Sequence, residues 1–405
     1  MFKYLKEVKS FQDRMFLTLL VFAICERTIF TFPVLMVSRV LGAENLYDAF
    51  MAFIYIVLFL GALSSPKRWS YLSPWTVVAI LFFFLSILLT IVFYPECEPF
   101  LKERWPLDLK RVIPWLLIGT FFYADSISME TIGKWCTFGV LFMSVYLLIF
   151  NNQLADEGYD MDSSYRLLLS TLITINYAFS SRNKWAIFAS FVGLFYSLAM
   201  GTRGPVLIIV SFVIILFAQT IFSKGSRKFW FVLLLIPCVL LLSLIDITTI
   251  MVYVNGIFSS LGFSTRFFDI ALQDEMLQSL SRKEIYDTLI AAIIENPVPH
   301  GLYSEQLLGF FSAHNMYIEI VYYYGVVLGV VILLVLILLP IVSFKKSINP
   351  FAKQWILMFA SYVFVHGIWG GRFLSPETFF MIGFCIKELR LSNRIKRFAY
   401  TNRNE

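Results

Sequence analysis

The chain has 405 residues, of which 59% are hydrophobic and 15% charged, with a formal net charge of +6. An ordinary soluble domain carries about 25% charged residues, so the composition excludes a soluble globular protein and indicates an integral membrane one. The surplus lysines and arginines fall in short clusters between apolar runs, a pattern that the positive-inside rule explains better than a nucleic-acid partner does.

Apolar runs of about 20 residues, the length that crosses a hydrocarbon core, recur along the chain and predict an all-α polytopic membrane protein of about twelve transmembrane helices. They lie near 15–37, 48–64, 74–94, 112–125, 134–150, 165–180, 184–200, 205–223, 228–247, 314–343, 352–370 and 373–389. The first run is long and leads to no small-residue cleavage site, so it reads as a retained span and not a signal peptide. Residues 1–405 then form a single transmembrane domain, with a long extracytoplasmic segment at 248–313 between the ninth and tenth spans.

With the N-terminus in the cytoplasm, the inward connections are basic: KYLKEVK, SPKRWS, the lone Lys134, SSRNK, SKGSRK, SFKKSINPFAK and the tail from KELRLSN onward. The outward ones hold most acidic residues: ECEPFLKERWPLDLK, NQLADEGYDMDSS, GTRGP, the stretch 248–313, and WGGRF. That asymmetry places both termini inside.

At GTRGP, glycines flank Arg203 and Pro205 suits the first turn of the following helix. A helix start offers free N–H groups, and Arg203 adds a fork of donors, a combination suited to phosphate. A lipid-facing arginine in a tight turn is the plainer alternative. In the long outer segment, Ile285, Leu289, Ile290, Ala292 and Ile293 form a helical stripe expected to lie along the membrane surface, ended by Asn296 and Pro297. Ser312 to Asn315 opens the tenth span. Two of the three histidines, His300 and His314, lie on this segment, and His366 falls deep in the eleventh span.

Three of these stretches resemble the O-antigen polymerase and O-antigen ligase superfamily of bacterial surface-polysaccharide enzymes. They are Gly201-Thr202-Arg203-Gly204 opening a span; Arg282 ahead of an amphipathic helix that ends in Glu295-Asn296-Pro297 with Gly301 after it; and His314-Asn315 before Gly325-Val326-Val327-Leu328-Gly329. Together they cover roughly 195–345. His300 stands where the family prefers a small residue, which leaves open whether His300 or His314 faces the reaction.

The resemblance implies glycosyl transfer at the outer face of the bacterial plasma (inner) membrane, from an undecaprenyl-diphosphate-linked oligosaccharide, without a metal or other cofactor. Arg203 and Arg282 would stabilise the charge growing on the departing diphosphate, Arg372 would add a third contact, and His314 would take the acceptor's proton. Arg203, Arg282 and His314 are therefore the catalytic candidates. Membrane lipids, a chain-length regulator and a flippase of the same pathway are the implied partners. Polymerase is preferred over ligase on overall resemblance, and a flippase for lipid-linked sugar is the alternative of another class.

Other residues carry plainer readings. Asp160-Met161-Asp162 reads as a solvated acidic loop and not a metal site. Arg372 beside Trp369 also reads as an interfacial anchor. Glu26-Arg27 inside the first span is a pair turned into the bundle or a functional one. Glu319, five residues past His314, projects from another helix face. Arg266 would face lipid phosphates. Cys97 stands alone in an outer loop, so no disulfide is expected.

Overall fold

The structure is a computed structural model that describes residues 11–25, 28–29, 50, 53–54, 56–57, 60–61, 69, 71–154, 161–199, 203–223, 247–260, 265 and 280–401. The predicted span 228–247 and most of 15–37 and 48–64 fall outside these residues, as do Glu26, Arg27, Asp160 and Arg266. Among the described residues the regular structure is helical, with no strand. The helices are α1 (Phe11–Cys25), α2 (Pro74–Phe93), α3 (Glu98–Phe121), α4 (Ser126–Leu154), α5 (Met161–Ser181), α6 (Lys184–Ala199), α7 (Arg203–Ser223), α8 (Ile247–Ser260), α9 (Leu280–Glu295), α10 (Met316–Lys346), α11 (Pro350–Trp369) and α12 (Pro376–Thr401).

Local chemistry sets the helix starts. Ser73 Oγ accepts the Trp75 N–H ahead of α2, and Asn349 Oδ1 accepts the Phe351 N–H ahead of α11; each cap is followed by proline, whose missing N–H costs nothing in a first turn. Asp125 and Ser128 cap α4 reciprocally: the Ser128 N–H donates to Asp125 Oδ1 at 2.7 Å, and the Asp125 N–H to Ser128 Oγ at 2.9 Å.

Among the described residues, two helices, α2 and α10, are long and apolar enough to cross a membrane. Both turn large apolar side chains outward, including Leu81, Leu88 and Val92 on α2 and Val327, Leu334 and Leu338 on α10. Continuous apolar exposure of this kind suits lipid and not water. Shorter apolar helical stretches occur at Val112–Phe121, Leu167–Ser181, Lys184–Ala199 and Gly204–Gln219.

The chain divides into two compact units. The first comprises 1–26, 30–132 and 280–405, and the second 27–29 and 133–279. The segment 248–313 is thus shared out, α8 to the second unit and α9 with the residues after it to the first.

In the first unit, α3 packs along α12, and α10, α11 and α12 pack on one another. Two glycines bring α3 and α12 into close contact. A Cβ on Gly119 would collide with the Phe380 carbonyl, and one on Gly383 with the Leu116 carbonyl. Small residues that let backbones approach are the usual means of packing helices in lipid, where no hydrophobic force drives them together. Below this crossing the aromatic rings of Phe122, Trp355, Phe359, Phe380 and Phe384 pack edge to face and face to face. Lys387 is fully buried; its Nζ donates to the Phe122 carbonyl at 2.5 Å and pairs with Glu388 Oε1 at 2.7 Å. The carboxylate of Glu388 in turn accepts from Ser347 Oγ at 3.1 Å.

In the second unit, α5 packs on α6 and α7. Gly193 lets Thr171 approach, Gly204 lies against the Tyr165 hydroxyl, and Ala199, Val206 and Phe258 form a buried cluster. The glycine after Arg203 therefore serves close packing.

Three expectations about connections are corrected. The stretch ECEPFLKERWPLDLK is no loop: Pro95–Cys97 forms a 3₁₀ turn and α3 starts at Glu98, supported by the Glu98–Lys102 ion pair one turn apart. Lys134 is not in a connection, because the Asp125 cap starts α4 eight residues earlier in the helix. The basic tail continues α12 to Thr401, and its first lysine is the buried Lys387.

Candidate functional site

Helix α10 is broken. Gly325 adopts φ 74° and ψ 168°, so Met316–Tyr324 and Val326–Lys346 are two helical pieces. The second piece alone has about the 20 residues that a hydrocarbon core requires. Gly325, the first glycine of the Gly325 to Gly329 segment, thus breaks the helix, and Gly329 sits against Val321 and the Ile320 carbonyl of the preceding piece.

A break leaves backbone groups without helical partners, and in an apolar setting each needs another. The segment after α9 supplies them. The Pro297 carbonyl accepts the Val326 N–H at 3.0 Å, while the His300 and Gly301 N–H groups donate to the Tyr322 and Tyr323 carbonyls, both at 3.2 Å. The strap is fixed from its other side by α2, where the Leu302 N–H donates to Thr90 Oγ1 at 3.0 Å and the Tyr94 hydroxyl donates to the Pro299 carbonyl. Gly301, at φ 86°, packs against the Tyr94 ring where no side chain would fit. Pro297, His300 and Gly301 are therefore a splint for α10, while the Asn296 N–H closes α9 on the Ala292 carbonyl.

His300 belongs to that splint. Its ring stacks on Tyr322 at 4.3 Å and Nδ1 lies 3.2 Å from the Tyr322 carbonyl. Burial pulls its pKa below the usual imidazole value.

His314 occupies a different setting. It has left-handed backbone, φ 53°, uncommon for a side chain with a Cβ. Its backbone is held on both sides: its N–H donates to Ser312 Oγ at 3.2 Å, and its carbonyl accepts from the Tyr286 hydroxyl at 3.1 Å. Asn315 caps α10, its Oδ1 accepting the Tyr317 and Ile318 N–H groups at 3.0 and 3.1 Å. The His314 pKa is lowered, first by burial and then by the positive charges of Arg282 and Arg372.

Both arginines are positioned by built elements. Arg282 lies in the first turn of α9, which starts at Leu280 and so includes it. Arg372 lies in the turn between α11 and α12, with Nε donating to Ser312 Oγ at 3.3 Å. That turn exists because Gly370, at φ 147°, ends α11, and the Gly370 and Gly371 N–H groups fold back on the His366 carbonyl. His366 is thereby in the last turn of α11, not deep within it. The sequence-predicted residues His314, Arg282 and Arg372 are thus brought together in the first unit. Arg203 starts α7 in the second unit.

Sequence reasoning missed Phe311, Arg104, Glu305, Tyr303 and Tyr286 as neighbours, and gave Glu319 and Cys97 no part in the site. Phe311, two-thirds exposed, has the guanidinium of Arg104 3.9 Å from its ring centre and that of Arg372 at 5.2 Å. Glu305 is buried in the 3₁₀ turn Ser304–Leu308 and accepts from the Tyr323 hydroxyl at 2.9 Å, but its Oε2 has no partner among the described residues. Burial raises its pKa to about 7, against the opposing pull of the Tyr323 hydrogen bond, its own backbone N–H, Arg372 and Arg104. Glu319 is also buried and accepts the Phe373 N–H at 2.8 Å, which fixes the Arg372 turn. Tyr303 donates to Asp108 of α3, and burial with that carboxylate raises its pKa far above the usual phenol value. Cys97 is fully buried, its thiol pushed up to about 11 by burial, then by Glu96 and Glu305. Tyr286 alone had a local signal, four residues past Arg282 on the same helix face.

The apolar stripe of α9 is redirected. Leu289 is fully buried, with Ile285, Ala292 and Ile293 half-buried beside it, and α9 packs on α10; Ile290, Ala291 and Ile294 point outward. The stripe serves chiefly to seat α9, and with it Arg282, against the protein.

Chemically, the arrangement offers a neutral imidazole under the fields of two cations, one of which, Arg372, hydrogen-bonds the same Ser312 hydroxyl as the His314 N–H. Such a group accepts a proton and the cations hold an anion. No family model matches the chain, and no curated protein or solved structure does so either.

Proposed function

We propose that this chain is a glycosyltransferase of the bacterial plasma membrane, with about twelve spans and both termini in the cytoplasm, that polymerises undecaprenyl-diphosphate-linked oligosaccharide repeats at the outer face. The observation that carries the reading is the placement of His314 under the positive fields of Arg282 and Arg372, with its backbone pinned by Tyr286 and Ser312.

The hydroxyl oxygen of the acceptor sugar attacks the anomeric carbon of the donor. The bond from that carbon to the diphosphate oxygen breaks, its electron pair leaving with the diphosphate, and the hydroxyl proton passes to His314. A neutral imidazole suits this because it has a free lone pair at pH 7. The two guanidinium groups stabilise the charge as it grows, and loss of one such donor commonly costs about 10²–10³ in rate. Arg203 keeps the diphosphate role implied by the resemblance, and is tested by itself.

The experiment is a gel of surface glycans from host cells lacking this gene, complemented with wild type, Arg203→Ala, Arg282→Ala, Arg372→Ala or His314→Ala. Single repeats that persist without the longer ladder, restored by wild type and not by the His314 variant, support polymerisation. Full-length chains accumulating on the lipid carrier would instead indicate a ligase, and a ladder restored by the His314 variant would remove the assignment.

A further inference from the structure

Of the Arg104, Phe311 and Arg372 cluster, the proposed reaction uses Arg372 and gives no role to Arg104 or Phe311. Arg104 stands on α3 and Arg372 in the α11–α12 turn, far apart in sequence, yet both guanidinium groups converge on one phenyl ring. Two like charges gathered this way repel, and each gains only about 0.5–1 kcal/mol from the ring at an exposed site. Neither arginine forms an ion pair among the described residues. Arg104 Nε–H is moreover buried with no acceptor among the described residues, an expensive state for a charged donor. The nearby carboxylate, Glu305, does not close the gap: it has spent one oxygen on Tyr323 and its other is also unpartnered. The cluster is therefore short of an anion.

We infer that Arg104 and Arg372, spaced by Phe311, form a binding site for a diphosphate group. Two guanidinium forks held this close present more donors than one carboxylate can accept, and a diphosphate supplies tetrahedral oxygens and enough charge for both. Arg104 is thereby a substrate-binding residue, supplied by the helix that was expected to be an outer loop. Phe311 is the platform that sets the spacing of the two forks, which accounts for a large apolar side chain left exposed in a turn. The inference rests on the proposed function and names a further residue for the same substrate.

The test is binding of farnesyl diphosphate, as the probe, to the purified full chain in nanodiscs made from neutral phosphatidylcholine. Wild type should bind, Arg104→Gln should weaken binding about tenfold or more, Arg104→Lys should fall between, and Phe311→Ala should also weaken it. Lys102→Ala, an exposed neighbour, should bind like wild type. Thermal midpoints equal to wild type for the two Arg104 variants assign the loss to binding and not folding; should Arg104→Gln unfold, the Arg104→Lys and Phe311→Ala arms decide. Unchanged affinity in Arg104→Gln, with Arg372→Gln weakened, would overturn the inference and leave the proposed function standing. No binding by wild type would overturn both. Displacement of the probe by phosphatidylglycerol at equal concentration would identify a lipid-headgroup anchor and overturn the diphosphate assignment.

Discussion

Tyr286 donates its phenolic hydrogen to the backbone carbonyl of His314 at 3.1 Å, tying the helix that carries Arg282 to the turn that carries the imidazole. A neutral hydrogen bond of this kind is worth about 1 kcal/mol. Tyr286→Phe should therefore leave the thermal midpoint nearly unchanged while the yield of long glycan falls several-fold, as read by densitometry of the ladder. Equal ladders from both proteins would show that the bond positions nothing.

The His314 environment has a definite pH sign. Burial first, then Arg282 and Arg372, disfavour the protonated ring, so its folded pKa lies below the ordinary 6.5. Stability from this group is fully present above 6.5 and is lost as pH falls through the lower folded value. The acid limb of the transfer rate, measured in isolated membranes, should accordingly lie below pH 6.5, and Arg372→Gln should move it upward. A limb unaffected by removing either arginine would contradict the coupling.

Glu305 runs the other way. Its pKa is raised to about 7, chiefly by burial, so the folded protein holds a proton that the unfolded chain releases near 4.5. The stability this contributes is present at acid pH and declines as pH rises from about 4.5 to about 7, by about 3 kcal/mol. Glu305→Gln, which stays neutral, should flatten this part of the melting profile, so that the variant gains on wild type between pH 5 and 8. Farnesyl diphosphate should also bind wild type more weakly above pH 7, where Glu305 becomes an anion facing Arg104 and Arg372. Parallel melting profiles for the two proteins would show that Glu305 is not held protonated.

Gly325→Ala should destabilise the protein by about 1–3 kcal/mol, since a Cβ there meets both an unfavourable φ and the backbone of Pro297 and Pro299. Val327→Ala, only two residues on but fully outward, is the control and should melt within about 0.5 kcal/mol of wild type. Similar losses for the two would mean that the break is not needed.

Removing Lys387 leaves the buried Glu388 without its counter-ion. Lys387→Ala should cost about 3–5 kcal/mol, whereas the double change Lys387→Met with Glu388→Gln should recover much of it, because burying both charges is itself expensive. Denaturation of the purified variants measures both. Additive losses would deny the pairing.

The sequence made the helical class and the ends of several helices legible, because the signals are local: Asn315 ahead of α10, Asn296-Pro297 after α9, Pro205 in the first turn of α7. His314, Arg282 and Arg372 were also readable as candidates. What stayed hidden depends on contacts between distant segments. Arg104 looks like one more charge in an acidic stretch until α3 brings it to Phe311. Gly325 and Gly329 read only as part of a motif until the strap from 297 to 301 is seen to occupy the break. The stripe on α9 shows that one face is covered without revealing that α10, and not lipid, covers most of it. Lys134 was misplaced because an apolar count ignores the Asp125-to-Ser128 cap.

The splint at 297–301 also imposes an order of events. It precedes Gly325 in the chain by more than twenty residues, so during synthesis it leaves the ribosome before the helix it must repair. The peptide groups around Gly325 thus meet partners that already exist, and the second piece of α10 can enter lipid without carrying a bare N–H in with it. Moving the same five residues to the far side of α10 would preserve composition and hydropathy yet expose the break first, turning a stable joint into a barrier to insertion.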